Sequence, residues 1–239
     1  MENTARVIHP EFAAGRRILA VSDIHGNLPF FRGLLQKVRF TPEDILVLDG
    51  DMLEKGRDSL ALLRYMMELS RTHTVYPICG NCDGLVFRFF ETDELDGRFY
   101  ASYLPQHPES TIRQLADEMG FEDWMDFPGL RAALRERYPE IHAWLAGLPT
   151  ILETEHLVFV HGGVPSLEHM ETLDRWKCMK NDDFRGQGHS FSKYVIVGHW
   201  PVTLYNPKIP SAAPLFDMTG RSSPSTGAVC SRRTGSSTP

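Results

Sequence analysis

A chain of 239 residues with 42% hydrophobic and 23% charged residues has the length and make-up of one large globular domain, with or without an inserted subdomain. Its formal charge of −6 argues against general nucleic-acid binding, which calls for a basic face. Four scattered cysteines do not form a disulfide framework, and no apolar run reaches transmembrane length, so a cytoplasmic protein without membrane contact is expected.

The first apolar run, Arg17–Ser22 (RILAVS), predicts a buried strand that ends in the polar stretch SDIHGN. Leu28–Val38 has apolar residues at helical spacing, Ile45–Leu48 (ILVL) is a second strand, and Leu60–Leu69 is a helix rich in Leu and Met. Thr74–Ile78 (TVYPI) predicts a third strand, ending at Cys79-Gly80-Asn81. This β-α-β-α-β order predicts parallel strands covered by helices. From about 88 to 148 the chain is rich in charge, aromatics and prolines, which reads as short helices forming a cap. Strands resume at Leu157–Val160 and Tyr194–Val197, followed by His161-Gly162-Gly163 and Gly198-His199.

The strand ends carry the chemistry: Asp23 and His25, Asp51, Asn81, His161 and His199. Asp23 and His25 are two residues apart, and on an extended segment such residues share a side. Taken singly, Asp23 or Asp51 reads as a helix cap and His161 as a turn residue. Together they read as a metal site, because functional groups in α/β sheets collect where strands open into loops. Mixed carboxylate, amide and imidazole donors suit Mn, Fe or Zn. One bridging carboxylate would hold two ions, roughly 3.5–4 Å apart. Cys79 and Cys82 form a C-x-x-C, but no second pair exists to complete a structural zinc site, and Cys79 reads as a small buried residue. Of the histidines outside these stretches, His189 in GQGHS is a candidate proton donor.

The ordered stretches SDIHGN, GDMLEKG, GNCD, HGG and GHW resemble the calcineurin-like metallophosphoesterases over residues 16 to 216. The resemblance implies an α/β fold of two mixed β-sheets packed as a sandwich, flanked by helices, with a helical cap insertion. It also implies two divalent metal ions. Asp23 and His25 would bind the first, Asp51 would bridge, and Asn81, His161 and His199 would bind the second. The pair would activate a shared water to hydroxide for in-line attack on phosphorus.

Within the family, GDMLEKG is similar to the GDxxDRG block of serine/threonine protein phosphatases, with Glu54 and Lys55 in place of Asp and Arg. Lys55 is expected to contact phosphate as a point charge. GNCD instead resembles the small bacterial phosphodiesterases. Cys82 stands where protein phosphatases carry an acid histidine, with Asp83 behind it, and a thiol is a poor proton donor beside imidazole. The resemblance thus implies a phosphate monoesterase nearest the bacterial protein-phosphatase-like branch, with Asp51, Lys55, Cys82 and Asp83 in catalysis. Its substrate would be a phosphoprotein or a nucleotide-like small molecule. The alternatives are a phosphodiesterase or dinucleoside polyphosphate hydrolase, and, from another class, a non-catalytic scaffold. Intact ligand positions speak against the scaffold.

The C-terminal stretch departs from the family. Residues 1–217 read as the metallophosphoesterase domain, after which the family continues with strands of apolar residues leading into DGG. Here the chain becomes TGRSSPSTGAVCSRRTGSSTP. Back-translated with permitted codons, Met218–Pro239 can be read in a shifted frame as DRQIISVDGGCVLQEDGQLNA. The expectation is a frameshifted C-terminus, with residues 218–239 an irregular tail outside the sheet.

Overall fold

The computed structural model describes residues 3–91, 97–187, 191–205, 215–217 and 227–229. Strands β2 (Ile18–Val21), β3 (Ile45–Asp49) and β4 (Thr74–Ile78) form a three-stranded sheet, parallel throughout, with Ile18 opposite Ile45 and Ile45 opposite Thr74. The crossovers are α1 (Leu28–Lys37) and α2 (Ser59–Thr72), which lie close to the predicted helices.

A second, mixed sheet contains β1 (Val7–Ile8), β5 (Ile151–Glu153), β6 (Leu157–Val160), β7 (Tyr194–Val197), β8 (Leu215–Asp217) and β9 (Gly227–Val229). Its order is β1-β5-β6-β7-β9-β8. Sequence patterning misses β1 and β5, because two and three residues are too few to show a period. They pair with each other in parallel, Val7 opposite Ile151.

Strand alternation explains why the two sheets meet. Every residue of β3 is buried, and successive side chains point to opposite faces. Leu46 and Leu48 pack into the helical layer with Phe31, Leu35, Leu62, Leu63 and Met66. Ile45 and Val47 turn the other way and meet Leu152 and Phe159 of the second sheet. The outer face of that sheet, with Ile151, Val158, Val160, Val195 and Val197, is covered by Met170, Cys178, Phe184 and Phe191. The arrangement is a sandwich of two sheets flanked by helices.

Between β4 and β5 the chain runs through α3 (Asn81–Glu91), α4 (Gly97–Gln106), α5 (Thr111–Glu118), α6 (Phe127–Arg137) and α7 (Pro139–Gly147). Ser110 caps α5 by accepting the Arg113 N–H, and Asp126 caps α6 by accepting the Gly129 N–H. These helices extend the core around α2 through Phe89, Phe90, Leu104, Leu115, Leu134 and Leu145, rather than standing apart as a separate body.

Most of 218–239, and His189 with it, lies outside the described residues. Three residues of that stretch do not follow the expectation of an irregular tail. Gly227–Val229 forms β9, parallel to β7 and antiparallel to β8. The free edge of β7 offers backbone partners, and a short strand satisfies them.

Candidate metal centre

The loops after β2, β3, β4, β6 and β7 converge at one end of the sandwich. Their approach depends on glycine. A Cβ on Gly80 would lie 2.1 Å from the Asp51 backbone nitrogen. One on Gly50, at φ +80, would lie 2.6 Å from the His161 ring. Side chains at these two positions would push the strand ends apart.

Asp23, His25, Asp51 and His199 all have positive φ, at 55, 48, 48 and 61°. The expectation that Asp23 and His25 share one side of an extended segment is therefore corrected. They converge because each sits in a left-handed turn, which brings His25 Nε2 to 3.7 Å from Asp23 Oδ1. Left-handed backbone at non-glycine residues costs of order 1 kcal/mol each and clusters at functional sites.

Asp51 is at the centre. Its Oδ2 lies 3.7 Å from His25 Nε2 and its Oδ1 lies 3.3 Å from His161 Nε2. The Cys82 backbone N–H fixes the carboxylate by donating to Oδ1 at 2.8 Å. Two groups of donors share this residue, His25 with Asp51 and Cys82, and Asp51 with His161 and His199. Within each group the donor atoms lie within 4.8 Å of one another.

The surroundings set which histidine nitrogens face the centre. His25 Nδ1 is 3.2 Å from the Leu53 carbonyl, and His161 Nδ1 is 2.8 Å from the Asp49 carbonyl. A ring that donates from Nδ1 to a carbonyl turns the Nε2 lone pair to a metal. The buried His161 Nε2 and the buried Asn81 Oδ1 have no hydrogen-bond partner. Buried polar atoms are normally satisfied, so these two fit a metal as the missing partner. The carboxylates, imidazoles and amide present therefore fit divalent ions in two groups of donors that share Asp51.

Electrostatics agree with a site built for positive charge. Burial disfavours an imidazolium at His161, but the Asp51 carboxylate outweighs it, with Asp23 and Asp49 adding to the effect, and the pKa is pushed up to about 10. Burial acts against Asp51 ionising, yet His161 and His25 hold its pKa well below the usual carboxylate range. Asp49, wholly buried with neither carboxylate oxygen hydrogen-bonded, is pushed up to about 7 by burial. The sequence signal for Asp49 was a lone acid closing an apolar strand.

The remaining predicted residues take distinct places. Lys55 Nζ is 3.2 Å from His25 Nε2, at the mouth of the first group. Asp83 is buried and accepts the N–H groups of Met52, Leu53 and Gly80, at 3.1, 3.0 and 2.9 Å. It ties the Asp51 loop to the Asn81 loop. Glu54, 1% exposed, accepts the Tyr103 hydroxyl at 2.6 Å and the Thr111 N–H at 2.8 Å. Asp182, which sequence reasoning passed over, faces His199 Nε2 at 2.7 Å. Its only signal was an Asp-Asp pair in a loop.

Comparison with known proteins agrees with this geometry. The chain is 42% identical over 64 residues to the symmetrical bis(5'-nucleosyl)-tetraphosphatase of Glaesserella parasuis, covering 26% of this chain and 23% of that protein. It is 33% identical over 86 residues to serine/threonine-protein phosphatase 2 of Salmonella typhimurium, covering 36% and 37%. The chain thus matches well under half the length of either relative. The crystal structure of a candidate diadenosine tetraphosphatase superposes with TM-score 0.56 at 17% identity, over 93% of this chain and 86% of that one, a likeness of fold. Among the described residues no helix is long and apolar enough to cross a membrane. Residues 16–219 match the family described as calcineurin-like phosphoesterase, and with two groups of metal-capable donors sharing Asp51 at the strand ends the chain belongs to that family.

Proposed function

We propose that the chain hydrolyses a phosphoanhydride of nucleotide type, of the dinucleoside polyphosphate class. The observation that carries this reading is Cys82. It stands beside Asp51, where the resemblance places the acid histidine of protein phosphatases, and offers a thiol in its place. Such a thiol is a weak acid near neutrality. A substrate whose leaving group is itself a nucleoside phosphate needs no proton, whereas a serine alkoxide does. The name of the Glaesserella parasuis relative points the same way.

When bound, the two ions would supply charge for the phosphoryl oxygens and an activated water. The protein residues do the rest. Asp51 sets the spacing of the two donor groups, Asp83 braces their loops, and Lys55 is placed to meet a phosphate oxygen once it leaves His25. The six ligand positions are all present, which favours an enzyme over a scaffold.

A second reading, a protein-phosphatase-like monoesterase, is favoured by the likeness to the Salmonella typhimurium phosphatase. Turnover of diadenosine tetraphosphate, bis-p-nitrophenyl phosphate, p-nitrophenyl phosphate and a phosphoserine peptide, each with Mn or Co, decides between them. The proposal expects the highest kcat/KM on the dinucleotide. A higher value on the phosphoserine peptide overturns it.

A further inference from the structure

The first ion, as the family resemblance assigns it, has only three protein ligands, Asp23, His25 and Asp51. The sulfur of Cys82 lies beside them and has no role in that set. Cys82 is 5% exposed and follows Asn81 in the first turn of α3. Its own N–H is bonded to Asp51 Oδ1, which fixes the residue over the bridging carboxylate. Asn81 Nδ2 donates to Sγ at 3.4 Å, an orientation that leaves Asn81 Oδ1 for the second ion.

Sγ, a His25 nitrogen and an Asp51 oxygen lie within 4.8 Å of one another. Donors about 2.0–2.3 Å from a tetrahedral ion stand roughly 3.3–3.8 Å apart, so a closure of about 1 Å brings all three to one ion. Cys79 offers no competing sulfur, because its Sγ points toward Gly84 and the Gly80 carbonyl.

We propose that Cys82 is a ligand of the first metal ion, binding through sulfur together with Asp23, His25 and Asp51. This rests on the dinuclear reading of the site and deepens it. As the sulfur–metal bond forms, the thiol proton leaves to solvent, and nothing is oxidised or reduced. The cation reverses the local electrostatics that otherwise keep the thiol protonated. Two consequences follow for the chemistry. A sulfur donor shifts the first site toward softer ions such as Zn or Fe. A sulfur committed to a metal cannot give a proton to a leaving group, which restricts the site to substrates that need none.

Cobalt(II) titration of the metal-free full chain tests the assignment. Thiolate ligation gives cobalt a near-ultraviolet charge-transfer band, read alongside the number of ions bound. The expected result is a band in the wild type that is lost in Cys82→Ser and Cys82→His at an unchanged cobalt count, and kept in Cys79→Ala. Two cobalt ions bound without the band, or a band that survives Cys82→Ser, overturns the Cys82 assignment and leaves the dinuclear site standing. No cobalt uptake at all overturns both. X-ray absorption of the zinc-loaded wild type needs no variant, and absence of a sulfur neighbour at about 2.3 Å also overturns the assignment.

Discussion

The Tyr103 hydroxyl donates to the Glu54 carboxylate at 2.6 Å, joining helix α4 of the insert to the loop that carries Asp51. The same carboxylate accepts the Thr111 N–H at the start of α5, so one buried acid anchors two helices. Tyr103→Phe removes a charge-assisted bond and is expected to cost about 1–2 kcal/mol in urea denaturation. An unchanged unfolding midpoint would show that the contact carries no stability.

Asp51→Asn is expected to abolish hydrolysis and reduce bound metal to one ion or none. The change removes the negative charge that faces both His25 and His161 while keeping the shape of the side chain. Metal analysis of the purified variant is the check. Full occupancy with near wild-type turnover contradicts the bridging role.

Lys55→Ala is expected to weaken inhibition by inorganic phosphate roughly fivefold, about 1 kcal/mol for a solvent-exposed charge. Metal content is expected to hold, because Lys55 touches His25 Nε2 without offering a ligand of its own. A variant that loses metal assigns Lys55 to the integrity of the site instead.

Away from the site, Arg17 grips Asp44 through Nε and Nη2 at 2.8 and 2.7 Å, and with help from the Thr41 N–H it holds the Asp44 carboxyl well below the usual range. A lowered folded pKa stabilises fully above the unfolded value of about 4, and the contribution fades as pH falls through the folded value. The stability gap between wild type and Asp44→Asn is therefore expected to be constant from neutrality to about pH 5 and to shrink below about pH 4. Urea denaturation across that range reads it, and a gap that widens in acid refutes the sign.

Residues 218–239 are expected to be a frameshifted reading of the C-terminal segment, by mutation or by sequencing error. Reading from the third nucleotide of the Met218 codon, permitted codons for all of Met218–Pro239 yield DRQIISVDGGCVLQEDGQLNA. That string has an apolar run, a DGG turn and a second apolar segment, whereas the present residues between 218 and 226 are Gly, Ser, Thr, Pro, Arg and Met. Sequencing the locus decides the matter directly. A protein with the frame restored is expected to unfold at higher denaturant than the present chain, because a longer apolar segment then replaces the three-residue β9 beside β7. A shifted frame that encodes no such segment ends the idea.

The order and type of the main strands were legible in the sequence, because β3 is continuous apolar chain and because strand ends turn abruptly to Gly, Asp, Asn and His. The six candidate ligand positions stand at those strand ends in the sequence, and the family resemblance assigns each to an ion. Other features needed the tertiary structure. Whether Asp23 and His25 converge depends on left-handed turns held open by contact with the Asp51 loop, through the His25 N–H to Asp51 carbonyl bond at 3.0 Å. The partners of the Asp83 carboxylate, three backbone N–H groups of two different loops, could not be read from the GNCD stretch. Strand β1 has its partner 144 residues away, Val7 to Ile151, and β5 joins it to β6, with Ile151 opposite Val160. Local pattern records which side chains must be buried and where a strand stops; it holds no record of which distant group will satisfy a buried carboxylate, and that pairing is what turns a list of ligands into a site.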